Sequence, residues 1–472
     1  MIGRIHEREE LERLYSSTES EFVAVYGRRR VGKTYLIRET FEGRFAFSHT
    51  GLAGKSKHYQ LKHFQNSLNE YDGEVKSCPS NWLDAFESLK KVILTCPLER
   101  KVVFIDEIPW MDTAKSEFLT ALEGFWNGWA SRRKDILFIV CGSAASWILK
   151  HLFRNRGGLH NRITSRIHLM PFSLSECESY VLERGLAMTR KDIAECYMAL
   201  GGIPYYWHYL VKGMSLAQNF DRLFFSENAP MKYEYAELYS SLFRNATLYE
   251  KVVETLARKG CGMSRNELIN ALGLHATGKM SEILETLECS GFIRKYRMPA
   301  CKSRDSIYQL MDNFTLFHFR FLVQGSEDEK YWENTAMSPK QAAWRGIAFE
   351  HLCLQHQQQI REALGISGIH TEAYAWQNRG DESGQKGAQI DLLLERADNV
   401  ISVCEMKYTD VPFALDRKTL DGLLTKMSLF REVTHTRKAL HLTMITSNGL
   451  VHNAYRNSVQ AEITLDDLFE GQ

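Results

Sequence analysis

The chain has 472 residues, 44% of them hydrophobic and 25% charged, with a formal net charge of +1 at pH 7. That length exceeds what one core sustains and predicts about three domains, and the near-neutral charge excludes a global field aimed at nucleic acid or an acidic membrane. No apolar run approaches the ~18 residues of a membrane span and no basic-then-apolar leader appears, so neither a transmembrane helix nor a secretory signal is expected and the protein reads as cytoplasmic.

In chain order, the first element with chemistry is FVAVYGRRRVGKTYL, residues 22 to 36. An apolar strand leads into Gly27, Arg28, Arg29, Arg30, Val31, Gly32, Lys33, Thr34 and Tyr35 and then a helix-forming run, the order of a phosphate-binding P-loop. The glycines let successive N–H groups turn inward toward phosphate oxygens, and the helix start adds its positive dipole end. Lys33 would reach the β- and γ-phosphates and Thr34 would ligate Mg²⁺. The competing reading, a Gly-rich turn matching by accident, has to explain why strand, spacing and helix all agree.

A second apolar strand, KVVFID, ends in Asp106 and Glu107. This is a Walker B element, in which Asp106 holds Mg²⁺ through water and Glu107 polarises the attacking water as general base. The Glu directly after the Asp favours ATP hydrolysis, and no Asn-Lys-x-Asp stretch that would read guanine occurs. A third strand, ILFIVCGS, ends in Ser143, either a γ-phosphate sensor or simply the cap of the next helix. Arg154, Arg156 and Arg162 follow, placed by this reading near the nucleotide side of the sheet. One of them is a candidate arginine finger, with Arg162 first because it immediately precedes a strand, or all three are solvated surface.

MIGRIHEREEL, GRRRVGKT, FIDEIPWM, CGSAASW, MPFSL and Gly201-Gly202-Ile203-Pro204 together resemble the archaeal-type ATPases of the STAND group within the AAA-related P-loop proteins. The likeness spans roughly the first 240 residues. It implies a five-stranded parallel sheet with helices on both faces, ATP and Mg²⁺ as cofactors, an adenine-side contact from Gly3-Arg4, and a helical lid whose turn at Pro204 lies against the nucleotide. Pro204 also reads as an ordinary helix-breaking turn. Such ATPases are similar to signalling switches with slow turnover.

Residues 248 to 310 read as three short helices and a hairpin, a winged-helix order. Ser264 and Glu267 have capping-box spacing. The third helix carries Glu282, Glu285 and Glu288, which phosphates would repel, so partner docking is expected before DNA reading; Arg294, Lys295, Arg297, Lys302 and Arg304 keep a backbone-gripping wing open. The aromatic DNFTLFHFRFL reads as packing, and the polar stretch from Gly325 to Gln341 as a linker or irregular joint.

The last third holds GAQIDLLLE with Asp391 and ISVCEMKY with Glu405 and Lys407, which two-residue spacing puts on one strand face. A turn at Asp398-Asn399 lets the strands pair, and the upstream helical stretch offers Glu350. The arrangement resembles a restriction-endonuclease-like core, and in particular the domain of unknown function, related to that superfamily, that commonly follows the ATPase described above. The resemblance implies one or two Mg²⁺ ions on Asp391 and Glu405, with Lys407 orienting water and steadying phosphate charge. The other reading is a set of exposed cross-strand salt bridges.

The expected fold class is thus α/β: a P-loop parallel sheet (1–175) with a helical lid (176–245), a winged-helix domain (246–312), a linker (313–344) and a restriction-endonuclease-like domain (345–472). The expected function is an ATP-hydrolysing switch that regulates a nuclease-like domain acting on DNA or RNA. The alternative is an ATP-dependent scaffold whose C-terminal or winged-helix domain binds a protein partner without chemistry. Oligomeric state is left open.

Overall fold

The computed structural model describes residues 2–72, 77–154, 157–159, 161–243, 246–260, 262–274, 278–296, 306–378 and 387–470. They form two compact units, Met1–Pro171 with Cys289–Gly291, and Phe172–Glu288 with Phe292–Gln472.

The first unit is built on β1 (Glu21–Tyr26), β2 (Phe45–Thr50), β3 (Lys101–Asp106), β4 (Ile136–Gly142) and β5 (Ser165–His168). All pair in parallel, in the order β2-β3-β4-β1-β5. Every residue of β3 and β4 is buried, which is why their sequences are unbroken apolar runs: parallel strands covered on both faces have no solvent side. Helices Lys57–Asp72, Trp82–Thr95 and Phe118–Gly128 supply Phe64, Trp82, Phe86, Phe118 and Phe125 to a core shared with Phe22, Phe47 and Phe138 of the strands. Trp82 meets Phe118 edge-on with centroids 4.9 Å apart. The order has one consequence for chemistry. Because β4 lies between β1 and β3, the segments leaving the carboxyl ends of all three stand side by side, where open α/β sheets bind ligands.

The second unit opens with helices Leu174–Glu183 and Arg190–Leu200, each started by a capping box, Ser173 with Glu176 and Thr189 with Asp192. Further on, helices Ala246–Lys259, Arg265–Ala271 and Gly278–Cys289 accompany an antiparallel sheet β6-β8-β7, made of β6 (Met263–Ser264), β7 (Ile293–Tyr296) and β8 (Ile307–Leu310). The capping box expected at Ser264 and Glu267 is formed, with bonds of 3.3 and 2.8 Å. Glu282, Glu285 and Glu288 are exposed on the third helix. Arg294 donates to Gln309 and stacks over Tyr296, while Arg297, Lys302 and Arg304 lie outside the described residues.

The segment expected as a linker, 313–344, is instead packed. Helix Asn313–Phe317 continues through His318–Leu322, and Tyr331–Asn334 forms a further turn. Phe317, Phe321, Trp332 and Trp344 are buried together, Trp332 lying 5.0 Å from Phe321 and 5.4 Å from Trp344. The buried Asp221 carboxylate accepts the Trp332 and Glu333 amides at 2.6 and 3.1 Å, which fixes the start of that turn. Phe317 and Phe321 come from the aromatic stretch that reads as packing, and Trp332 ties the polar stretch after it to the same cluster.

After helix Pro339–Gln355 comes a five-stranded mixed sheet of β9 (Thr371–Asn378), β10 (Ala388–Arg396), β11 (Val400–Lys407), β12 (Ala439–Thr446) and β13 (Ala461–Thr464), ordered β13-β12-β11-β10-β9. The first three strands pair antiparallel and β11-β12-β13 parallel, with helix Arg417–Thr434 making the crossover from β11 to β12. Glu195 of helix Arg190–Leu200 accepts from Arg345 Nε at 2.9 Å and from the Tyr408 hydroxyl at 2.7 Å. The early helices and the last sheet are therefore parts of one packed body.

Candidate functional site

At the end of β1 the chain enters a loop that only its glycines permit. Gly27 has φ 148°, and a Cβ there would sit 2.3 Å from the Leu169 carbonyl oxygen; Arg30 and Gly32 are also left-handed, at φ 73° and 93°. Left-handed turns of this kind can point successive amides at an anion, and helix Lys33–Thr40 starts directly after them. The buried Lys33 ammonium donates to the Gly27 and Arg28 carbonyls at 3.0 and 2.8 Å, so it already sits at the mouth of the loop. Arg28 and Val31 are buried, Arg29 is partly buried and Tyr35 points outward. Arg4 is buried and donates to the Val31 carbonyl at 3.2 Å, tying the N-terminal segment to the loop.

Thr34 Oγ1 donates to Asp106 Oδ2 at 2.7 Å, joining residues 72 positions apart. Both are hard oxygen donors. They suit Mg²⁺, which takes one or two protein ligands and fills the rest of its shell with water and phosphate oxygens. Glu107 follows in the left-handed region at φ 47°, a conformation uncommon for a non-glycine residue. Its Oε2 accepts from the Ser143 amide at 3.1 Å and the Ser143 hydroxyl at 3.0 Å. The helix after Ser143, Ala145–Ile148, has no side-chain cap, so the hydroxyl serves Glu107 and not the helix. Burial pushes the Glu107 carboxyl above its ordinary value, opposed by the Lys33 ammonium and the Ser143 bonds.

Arg162 lies at the opposite ends of the strands from the loop. Val23 pairs with Ser165, and the Thr164 amide donates to the Phe22 carbonyl, so Arg162 sits before β5 at the amino ends of the strands. The loop is at their carboxyl ends, about 13 Å of strand away. The expectation that Arg162 lies on the nucleotide side is corrected: adjacency to a strand in sequence does not say which end of the sheet is reached. Arg154 is exposed, and Arg156 lies outside the described residues. Pro204 belongs to the second unit, where it opens helix Pro204–Trp207. Just before it, Gly202 accepts from the Phe172 amide at 2.6 Å, and a Cβ on Gly202 would lie 1.9 Å from the Phe172 oxygen. Sequence reasoning missed His168, which ends β5 beside the loop and stacks on Tyr26 at 4.7 Å. Burial, helped by the nearby Lys33 ammonium, holds its imidazole below the ordinary value. A histidine at the end of an edge strand carries no local signal that could have flagged it.

The second cluster lies in the second unit. Leu392 pairs with Cys404, and continuing that register sets Asp391 opposite Glu405. Glu405 Oε1 accepts from Lys407 at 2.7 Å and Oε2 from Lys426 of the crossover helix at 3.2 Å. Asp391 accepts from Gln389 at 2.6 Å. Burial, reinforced by the neighbouring Asp391 carboxylate, pushes the Glu350 carboxyl up to about 8, against the pull of Lys407 and Lys426. All four residues expected here, Glu350, Asp391, Glu405 and Lys407, thus share one electrostatic neighbourhood. A divalent ion on Glu405 would have to displace at least one ammonium. Among the described residues no group of three His, Cys, Asp or Glu side chains could hold a metal ion, and no helix is long and apolar enough to cross a membrane.

The fold and the loop define the first unit as a P-loop nucleotide-binding domain of the α/β class. Comparison with known proteins agrees: residues 2–210 match the model of an ATPase domain predominantly from Archaea, which points to ATP hydrolysis as this domain's chemistry. An uncharacterised protein of Methanocaldococcus jannaschii is 23% identical over 91% of this chain and 92% of its own length. Among solved structures, the Walker-type ATPase PABY2304 of Pyrococcus abyssi is 15% identical, with a TM-score of 0.50 over 68% of this chain and 96% of that one. The ORC2 protein of Aeropyrum pernix, solved in ADPNP and ADP complexes, is also 15% identical, with a TM-score of 0.42 over 71% of this chain and 96% of that one.

The raised Glu350 carboxyl has a consequence for stability. Folded protein binds this proton more tightly than the unfolded chain, so stability is fully present below the ordinary value of 4.5 and is lost as pH rises toward about 8. Glu350→Gln has no such proton to lose. Between pH 5 and 8 the urea-unfolding free energy of the native protein should fall by roughly 3 kcal/mol more than that of Glu350→Gln, at about 1.4 kcal/mol per pKa unit with a discount for partial exposure. Parallel pH profiles for the two proteins would contradict the assignment.

Proposed function

We propose that the protein is an ATP-binding and ATP-hydrolysing switch that regulates a C-terminal nuclease-like domain acting on nucleic acid. The observation that carries the ATP half is the 2.7 Å bond from Thr34 to Asp106 beneath the Lys33 loop, with Glu107 held next to it by Ser143. The loop amides and Lys33 hold the triphosphate, and Thr34 and Asp106 would hold Mg²⁺, which neutralises phosphate charge when bound. Glu107 accepts a proton from the attacking water, and burial, by raising its carboxyl, makes it a stronger base than a solvated glutamate. While Ser143 occupies Glu107, that base is parked. A γ-phosphate competing for the Ser143 hydroxyl frees it, which makes hydrolysis conditional and turnover slow, as suits a switch.

What supports the nuclease-like half is element order. A helix bearing Glu350 precedes β9, β10 and β11, a crossover helix follows, then β12, with Asp391, Glu405 and Lys407 on adjacent strands. The packing of Glu195 against Arg345 and Tyr408 gives the early helices of the second unit a direct hold on the helix carrying Glu350 and on the residue after Lys407. The second reading, an ATP-dependent scaffold whose C-terminal domain binds without cutting, draws support from the two ammoniums already seated on Glu405. The three-helix and hairpin segment fits a winged-helix partner-docking module, since its third helix exposes Glu282, Glu285 and Glu288.

For the ATPase, Glu107→Gln should bind ATP as the native protein does and turn it over roughly a hundredfold more slowly, the worth of a positioned general base. Undiminished turnover would overturn the role of Glu107. For the nuclease-like domain, cleavage of plasmid DNA, single-stranded DNA or RNA is assayed with Mg²⁺ or Mn²⁺, with and without ATP. Cleavage that disappears in Asp391→Ala and Lys407→Ala supports the first reading; no cleavage under any condition favours the second.

A further inference from the structure

Lys426 is absent from every sequence pattern considered above, yet the fold brings it to the centre of the second cluster. It lies on helix Arg417–Thr434, 21 residues beyond Glu405, and its ammonium takes the Glu405 oxygen that Lys407 leaves open. One carboxylate, 15% exposed, is thus flanked by two ammoniums that are 36% and 35% exposed. The three groups together carry one net positive charge, and the cations are the part that solvent reaches. One helical turn before Lys426 stands Gly422, where an added Cβ would meet nothing within 4 Å. The space at Gly422 is therefore open, one turn from Lys426 on the same helix.

We propose that Lys407 and Lys426 form a clamp for a phosphodiester of a nucleic-acid strand, with Glu405 as the spacer that holds the two ammoniums apart and oriented. The inference rests on the reading of this domain as one that engages nucleic acid, and it adds to that reading a residue and a mode of binding that needs no metal. An ammonium is a compact point charge with three donors, so each lysine can keep Glu405 while donating a further bond to a phosphate oxygen. With Asp391 opposite Glu405, the two lysines balance the two carboxylates, and the ammoniums are the part of the Glu405 group most open to solvent. As a mere surface ion pair the arrangement would contribute little to stability, and Lys426 would then be dispensable for binding.

The test is fluorescence anisotropy of a labelled oligothymidylate with the full-length protein in EDTA, across a salt series. Lys426→Met keeps the stem and removes the charge; Lys426→Arg keeps the charge. The clamp predicts that Lys426→Met weakens binding roughly tenfold and lowers the salt slope by about 1, that Lys426→Arg restores most of the affinity, and that the melting transition is retained in both. Native binding that Lys426→Met leaves unchanged overturns the clamp while leaving the domain's nucleic-acid role standing. Absence of native oligonucleotide binding overturns both. Millimolar inorganic phosphate that abolishes the signal at constant ionic strength overturns the strand as ligand in favour of a free anion.

Discussion

The hydrogen bond between Thr34 and Asp106 is the constraint on which the first unit turns. It spans 2.7 Å between residues far apart in sequence, in a sheet where β4 lies between β1 and β3. With that order, the loop after β1, Ser143 after β4 and the acidic pair after β3 come together at the carboxyl ends of the central strands. Buried strands β3 and β4 make these ends stiff, so the oxygens of Thr34 and Asp106 are preorganised instead of being gathered by the ligand.

Around this bond the electrostatics divide the work. The buried Lys33 bonds two of the loop's own carbonyls, and its charge opposes the effect of burial on Glu107. Ser143 adds two donors to Glu107, so the candidate base is held in place by the residue that ends β4. The second unit applies a similar economy. Glu405 is shared by two lysines, Glu195 by Arg345 and Tyr408, and Asp221 by two backbone amides.

Much of the nucleotide site was legible in the sequence because its parts are local. The spacing from Gly27 to Thr34, and an apolar strand closing on Asp106 and Glu107, each fit within about ten residues and carry their chemistry with them. The capping box at Ser264 was legible for the same reason. Arg162 was not, because its proximity to β5 in sequence says nothing about whether the chain is entering or leaving the sheet. The stretch from Gly325 to Gln341 reads as a linker or irregular joint because averaging over charged neighbours hides Trp332, whose burial outweighs the polarity around it. Lys426 and His168 were illegible in principle: one reaches its partner from a helix to a strand, the other through strand pairing, and neither leaves a spacing to find.

The central claim is that the bend from Gly27 to Thr34, with Asp106, surrounds a nucleoside triphosphate and its magnesium ion. Calorimetric titration of ATP into the protein, with Mg²⁺ and again with EDTA, tests it most directly. The account predicts one saturable site per chain that weakens markedly without the metal and is lost in Lys33→Ala. A flat isotherm for the native protein in Mg²⁺, or binding that Lys33→Ala leaves intact, would contradict it.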